Sequence, residues 1–312
     1  MKNRLLADWI ANLLEERPLR ANSLIITIYG DAIAPHGGSV WLGSFIRLVE
    51  PLGLNARMVR TSVFRLVRDH WLTANPVGRR SFYSLTGDGI RRFEHAYRRI
   101  YEEHNPAWDG SWQIVLTSGS TLTTAQRDAL RRELLWEGFG ILAPGVLAHP
   151  SADSAPLIDI LQGNAAFDKV VVLQAQTLGP FASGPLHELV RNCWNLNHIA
   201  AEYQRFTDRF RPVLRTLKTV KEPDPEQCFV IRTLLIHEFR RVLLRDPLLP
   251  QQLLPGDWPG HAAREMCRDI YALSQRPAEE HLMSTLETAA GPLPPAAPYF
   301  YARFGGIRGA RP

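Results

Sequence analysis

The stretch NARMVRTSVFRLVRDHW, residues 55–71, contains the clearest pattern in the chain. At about 100° per residue, one helical face collects the apolar side chains of Val59, Val63, Leu66 and Val67. The opposite face, within an arc of about 80°, collects Arg57, Thr61, Arg65 and Arg68. The pattern predicts a helix from Ala56 to about Trp71, capped by Asn55, that packs on one side and presents cationic and hydroxyl groups on the other.

The flanking segments predict a helix-turn-helix followed by a wing. Upstream, Ser39 is expected to cap a helix over residues 41–49, which Pro51 and Gly53 end. Downstream, residues 71–74 and 79–85 are typical of two strands joined by the turn NPVG. Two helices joined by a short turn, the second with outward cations, form the layout in which the second helix enters the DNA major groove.

The charge distribution agrees with this interpretation. The chain of 312 residues has a formal net charge of +5. Residues 1–104 hold fifteen Lys plus Arg against ten Asp plus Glu, and the remainder holds twenty-one of each. Between Arg57 and Arg92 there are eight arginines, two aspartates and no lysine. Arginine suits bidentate bonding to phosphate and guanine, so this local excess favours double-stranded DNA as a partner, with a merely solvated charged face as the alternative.

The candidate DNA-contacting residues lie on the predicted helix and wing. They are Arg57, Arg60, Thr61, Ser62, Arg65, Arg68, Arg79, Arg80, Ser81 and Tyr83. We expect the helix residues to reach base edges and the wing arginines to contact phosphates. Arg60 lies toward the side of the helix, which favours a phosphate or an intramolecular partner, and Tyr83 is as compatible with the core as with contact.

The rest of the chain predicts an α+β multidomain protein. An amphipathic leader helix covers residues 3–16, whereas LIITIY, residues 24–29, is compatible with either a strand or a buried helix. After residue 104 the order of elements is β-α-β-α-β, or β-α-β-β-α-β if residues 141–148 form a hairpin, which fits a ferredoxin-like sandwich. Helices dominate from residue 185. The predicted domains are 1–104, 105–182 and 183–312.

Several classes of protein are excluded by what the sequence lacks. It has neither an apolar run of about 18 residues nor a signal-peptide h-region, so we expect a cytoplasmic protein without a membrane span. Cys193, Cys228 and Cys267 are too far apart for a paired metal motif and suit core thiols. The sequence HEFRR, residues 237–241, lacks the second histidine of a zinc peptidase. No catalytic constellation is visible, so we expect no enzyme, no metal and no cofactor.

Several segments together resemble the PaaX-type repressors of phenylacetate catabolism. The N-terminal ones are SLIITIYGDAI (23–33), GGSVWLG (37–43) and VRTSVFRLV (59–67). The C-terminal ones are HEFRR (237–241), RDPLLP (245–250) and LPGDWPG (254–260). The resemblance spans roughly residues 21–305 in the same order.

The resemblance implies an N-terminal winged helix-turn-helix, a central ferredoxin-like domain similar to Cas2, and a helical C-terminal effector and dimer domain. It also implies that residues 24–29 are helical. By family, such proteins are homodimeric repressors that bind palindromic operators and leave DNA when phenylacetyl-CoA binds. An acyl-CoA needs cations for its phosphates and aromatic surface for its ring, for which the candidates are Trp194, Arg240, Arg241 and Trp258.

Two other classes of function remain open. One is an enzyme, either a Cas2-like nuclease or a protein that handles acyl-CoA. A Cas2-like nuclease needs a carboxylate at the end of the first central strand, but here that strand ends in Leu116-Thr117-Ser118-Gly119, with Asp109 preceding it. The other class is a DNA-binding regulator without a small-molecule effector, which the sequence does not separate from the repressor.

Overall fold

The computed structural model describes residues 2–16, 19–102, 108–150, 154–178 and 183–306. The chain divides into two compact units, each assembled from separate segments. The first comprises Met1–Glu103, Phe206–Arg240 and Ala262–Pro312, and the second comprises His104–Arg205 and Arg241–His261. Because compactness divides residues 183–312 between both units, the three-domain division stays a prediction.

The first unit begins with two helices, α1 (Arg4–Glu16) and α2 (Ala21–Ile28), and α2 continues into a π-helical turn over Tyr29–Ile33. Leu24, Ile25 and Ile28 are fully buried, which explains why the undecided stretch is so apolar throughout. The helix that the family resemblance implies for residues 24–29 is therefore confirmed.

The predicted cap at Ser39 is wrong. Ser39–Trp41 forms a strand, β1, and helix α3 begins only at Leu42 and ends at Val49. The physical reason lies in long-range pairing, because Ser39 sits opposite Ser84 in an antiparallel ladder and the two hydroxyls hydrogen-bond at 2.8 Å. Local sequence shows the capping tendency of serine but not this partner.

Helix α4 (Ala56–Arg68) and a three-stranded sheet follow the turn at Gly53. The Asn55 side chain accepts a hydrogen bond from the Met58 N–H at 3.0 Å, as predicted. His70, with φ of 58°, ends the helix, and the Trp71 N–H returns to the Leu66 carbonyl at 2.8 Å. Strands β2 (Leu72–Val77) and β3 (Arg80–Leu85) pair as the predicted hairpin, and the sheet order is β1-β3-β2. The turn is shorter than predicted, because residues 75–77 continue β2 and pair with residues 80–82.

The first unit also contains a further helix and elements from later segments of the chain. Helix α5 (Gly87–Tyr101) is capped by Thr86. The C-terminal part of this unit ends in a two-stranded sheet and a short helix, namely β8 (Glu287–Thr288), β9 (Gly291–Pro292) and α12 (Pro298–Tyr301).

The second unit contains a four-stranded antiparallel sheet. Its elements are β4 (Ser111–Leu116), α6 (Thr124–Trp136), β5 (Gly140–Ala143), β6 (Val146–Pro150), α7 (Ser154–Gly163) and β7 (Val171–Gln176). The strand order is β5-β6-β4-β7, and the core between sheet and helices is apolar, with Val115, Leu130 and Leu134 fully buried. The β-α-β-β-α-β arrangement with a hairpin at residues 141–148 is confirmed.

Four longer helices complete the chain: α8 (Ser183–Cys193), α9 (Leu196–Thr219), α10 (Pro225–Leu243) and α11 (Pro259–Thr285). The helical region that begins near residue 185 is interrupted, because Asn195 takes a left-handed φ of 48° and separates α8 from α9. Within the described ranges, none of the helices combines the length and apolar character needed to cross a membrane.

Candidate nucleic-acid interface

Helix α4 presents its cationic face to solvent. The exposed residues of this face are Arg57, Arg60, Thr61, Arg65 and Arg68. On the opposite face, Val59 and Val63 are buried, and α4 packs against α2. Arg57, Arg60 and Arg65 make no ion pair with any residue in the described part of the chain, and Arg68 pairs only with its exposed neighbour Asp69 at 3.1 Å. The predicted cationic residues therefore lie together on one surface, and their guanidinium groups are available to an anionic partner.

Two residues of α4 differ from the sequence-based expectation. Ser62, a candidate contact, is 5% exposed and lies on the packed side of the helix, so we remove it from the candidate set. Phe64, which was not among the predicted contacts, is 71% exposed within the cationic face. The signal was present, since at about 100° per residue Phe64 falls about 20° from Arg57 and far from Val59.

The β2–β3 hairpin carries its arginines near its tip. Gly78 takes a φ of 58°, which a glycine adopts without strain, and Arg79 and Arg80 follow it with exposed side chains. Ser81 is half-buried. Tyr83, in the central strand of the sheet, is also half-buried. Its carbonyl accepts a hydrogen bond from the Tyr29 hydroxyl at 3.4 Å.

Arg80 belongs to a cluster that the sequence did not reveal. Its Nη1 donates to Glu287 Oε2 at 2.9 Å, while Arg47 Nη2 donates to Glu287 Oε1 at 3.2 Å. Both guanidiniums also lie over the Trp41 ring, at 4.3 and 5.2 Å from its centroid. One carboxylate thus faces two cations beside the hairpin.

A buried charge network holds the end of α2. Asp31 Oδ1 accepts hydrogen bonds from the Tyr101 hydroxyl at 2.6 Å, the Tyr271 hydroxyl at 3.0 Å and Arg303 Nη1 at 3.1 Å. Arg232 Nε lies 3.1 Å from Asp31 Oδ2. This carboxylate therefore ties the helix beneath α4 to α5, α10, α11 and the C-terminal segment.

The protonation states of this network follow from burial and neighbouring charge. Burial raises the pKa of the Tyr271 phenol far above its ordinary value, so the hydroxyl remains a donor. Burial acts to lower the pKa of Arg232, but the charge of Asp31 raises it overall, with Tyr271 and Glu279 adding to that effect. Both groups keep these protonation states at neutral pH.

A cleft in the first unit lies between α2, α5 and α10. Its walls are largely apolar and aromatic, formed by Trp71, Phe93, Tyr97, Tyr101 and Ile236, among others. Arg240 lines it and donates to Thr27 Oγ1 at 3.0 Å. Burial lowers the pKa of this guanidinium, and none of the described carboxylates forms an ion pair with it. The cleft thus combines aromatic surface with a partly buried cation that forms no ion pair with the described carboxylates.

The other three effector candidates lie in the second unit. Trp194 is buried and donates from Nε1 to the Gly138 carbonyl at 2.7 Å. Trp258 is buried and packs edge-on against Tyr203 at 5.9 Å. Arg241 is half-buried. These contacts give both indoles a structural role, and their contact with an effector stays a prediction.

The central sheet offers little support for metal-dependent chemistry. β4 ends at Leu116, and the following Thr117 and Ser118 donate to the carbonyls of Gly145 and Pro144. Asp109, at the other end, is exposed, and hydrogen bonding by Ser111 lowers its pKa. Across the described ranges, there is no grouping of three or more His, Cys, Asp or Glu side chains suited to a metal ion.

His237 and Glu238 have partners within the first unit. His237 Nδ1 lies 3.2 Å from Thr27 Oγ1, and Glu238 pairs with Arg209 at 3.3 Å. These interactions place both residues in the helical packing.

Comparisons with known proteins match most of the chain. Residues 20–89 match the family described as PaaX-like protein, residues 105–186 the PaaX protein central Cas2-like domain, and residues 194–284 the PaaX-like protein C-terminal domain. The chain is 39% identical over 303 residues to the transcriptional repressor PaaX of Escherichia coli K12, covering 97% of this chain and 95% of that protein.

A solved structure shows a related fold. The uncharacterized protein Rv0674 from Mycobacterium tuberculosis superimposes with a TM-score of 0.57 at 21% identity, covering 84% of this chain and 98% of that one. The similar E. coli protein is named as a repressor and not as an enzyme, in line with the sequence-based expectation. The matched segments and this identity show that the chain belongs to the PaaX family.

Proposed function

We propose that this protein is a DNA-binding transcriptional repressor of phenylacetate catabolic genes, and that phenylacetyl-CoA or a related acyl-CoA releases it from its operator. The observation that carries the DNA-binding part is the set of exposed arginines on α4, above all Arg57 and Arg65, which form no ion pair with the residues that the structure describes. Exposed guanidiniums at one-turn and two-turn spacing match phosphate oxygens and guanine edges. The 39% identity to a named repressor supports the same function.

In this proposal the first domain acts as a winged helix-turn-helix. α3 and α4 would be the paired helices, with α4 in the major groove, and the β2–β3 hairpin would be the wing along the phosphate backbone. Arg57, Thr61, Arg65 and Arg68 would face base edges, while Arg60, Arg79, Arg80 and the half-buried Ser81 and Tyr83 would lie toward the backbone.

A homodimer would place two such helices on a palindromic operator. The edge strand β7 is the surface that supports self-association best. Val171, Val172 and Leu173 on it are 54%, 42% and 45% exposed, and its outer edge has no neighbour in the sheet order β5-β6-β4-β7. An exposed apolar edge strand is a liability in a monomer, whereas pairing with a second copy satisfies its backbone and buries its side chains.

For the effector we propose the cleft that contains Arg240. The aryl group would lie among Phe93, Tyr97 and Tyr101, and the thioester carbonyl would accept a hydrogen bond from the Arg240 guanidinium. Arg92 lies over Trp71 at 4.8 Å and is exposed, which suits a phosphate of the CoA portion.

The position of this cleft supports a direct effect on α4. One wall is α2, which packs against α4, and another wall includes Trp71, whose N–H closes the end of α4. A ligand that binds better when these walls shift would favour a conformation with a displaced recognition helix. The effect of the ligand on DNA affinity is limited by the difference between its affinities for the two conformations.

Fluorescence anisotropy on promoter DNA from the gene's own neighbourhood tests this proposal. We expect tight, salt-sensitive binding that phenylacetyl-CoA reverses and free phenylacetate does not. Arg240→Met should raise the phenylacetyl-CoA concentration needed for release by about tenfold, in line with one charged hydrogen bond, and leave DNA affinity without the ligand unchanged. Binding that no acyl-CoA affects would favour a regulator without this effector, and absence of sequence-specific binding would refute the repressor.

A further inference from the structure

We propose that Phe64 reads sequence: its ring contacts the C5-methyl group of a thymine in the major groove. This inference rests on the proposed DNA binding through α4 and extends it to a specificity-determining residue. A bare phenyl side chain at 71% exposure is expensive in water, and the described residues make no ring contact with it.

The surroundings of Phe64 argue against a place in the protein core. Arg60 and Arg68 lie one helical turn before and after it, and Thr61 lies beside it, all of them exposed. The packed face of α4 is complete without it, because Val59, Val63 and Leu66 already fill the contact with the rest of the domain. Phe64 therefore occupies the middle of the surface that is proposed to meet DNA.

Charge complementarity identifies the partner. A protein partner that buried Phe64 would also have to remove the neighbouring Arg57 and Arg60 from water, and neither has a carboxylate partner to compensate for that desolvation. The DNA major groove places phosphates along both of its walls and base edges at its floor. A helix with cations on its flanks and an aromatic ring at its centre matches this arrangement.

The groove floor also limits what Phe64 can contact. Guanine, adenine and cytosine present hydrogen-bonding groups in the major groove, whereas thymine adds an apolar methyl group. A phenyl ring has no donor or acceptor and gains only from burial against that methyl group. Phe64 should therefore favour thymine over cytosine at one position of each half-site.

The test compares thymine with deoxyuridine, which lacks only the methyl group. Duplexes that bind the full-length wild-type protein are first selected from a random library. Each thymine of the selected site is then replaced in turn by deoxyuridine, and affinities are measured for wild type, Phe64→Ala and Phe64→Leu. Phe167→Ala provides a matched control, because Phe167 is 55% exposed but belongs to the second unit.

For the wild type and for Phe167→Ala, we expect one thymine position in each half-site to be sensitive. Replacement at that position should weaken binding about fourfold, the equivalent of about 0.8 kcal/mol for one buried methyl group. Phe64→Ala should bind the thymine site more weakly and lose its sensitivity to that replacement, while Phe64→Leu should retain part of it. If wild type and Phe64→Ala show the same deoxyuridine profile, or if Phe64→Ala changes the oligomeric state, the thymine contact is refuted while DNA binding stands. If wild type selects no duplex, the proposed function itself fails.

Discussion

Arg80 on the β2–β3 hairpin donates a hydrogen bond to Glu287 on strand β8 at 2.9 Å, across 207 positions of sequence. The same carboxylate accepts from Arg47, so two cations that face the proposed DNA side share one acidic partner. Glu287 is partly exposed, and an exposed pair of this kind contributes little to stability. We expect the pair to affect DNA binding instead, because the Glu287 carboxylate and a DNA phosphate would compete for the same guanidiniums.

Glu287→Gln should therefore increase DNA affinity. Without the carboxylate charge, Arg80 and Arg47 become available to phosphates, and the slope of log affinity against log salt should steepen by about one to two. Titrations at several salt concentrations measure both quantities. Glu280→Gln removes the same charge from an exposed pair with Arg276 on α11 and should leave the slope unchanged. Equal effects of the two substitutions would show that only net charge matters.

Arg65→Ala and Arg80→Ala should separate base reading from backbone contact. Arg65 lies on the exposed face of α4, and its loss should weaken binding to the specific site by about 1–3 kcal/mol with a smaller effect on random DNA. Arg80→Ala should weaken both and reduce the salt slope by about one. Competition titrations with specific and random duplexes give the comparison, and equal losses on the two DNAs for both variants would contradict the assignment.

Local sequence predicted α4, its Asn55 cap and the hairpin because these features depend on residues only a few positions apart. The same reasoning misplaced Ser39, whose partner Ser84 is 45 positions away. It also missed the ion pair of Glu287 with Arg80 and the buried network of partners around Asp31, since neither follows from a periodic pattern in the sequence. Phe64 is different, because its angle on the helix can be read from the sequence and places it on the cationic face.

Arg303→Met should destabilise the protein strongly. The Arg303 guanidinium is fully buried. It donates to the Asp31 carboxylate and to the backbone carbonyls of Gly30 and Asp31, so its removal leaves the buried carboxylate with fewer partners. Loss of one member of such a pair costs about 3–5 kcal/mol. Urea unfolding followed by tryptophan fluorescence measures the change. Arg276→Met, which removes the same charge from a pair that is largely exposed, should cost less than about 1 kcal/mol. Similar losses for the two variants would mean that the Asp31 network contributes no special stability.

Val172→Lys should convert the proposed homodimer into a monomer. A lysine on β7 adds a charge that pairing with a second copy would have to bury, and inward or edge lysines are a common means of preventing strand addition. Light scattering coupled to size-exclusion chromatography reads the mass directly. Leu5→Lys is the matched variant, because Leu5 is 67% exposed on the leader helix α1, which offers another apolar surface for self-association. A dimer that survives Val172→Lys but not Leu5→Lys would move the interface to α1.

Loss of the dimer only with Val172→Lys would place the interface on the central sheet. The same variant should then bind a single half-site as well as the wild type does, while losing the preference for the palindrome.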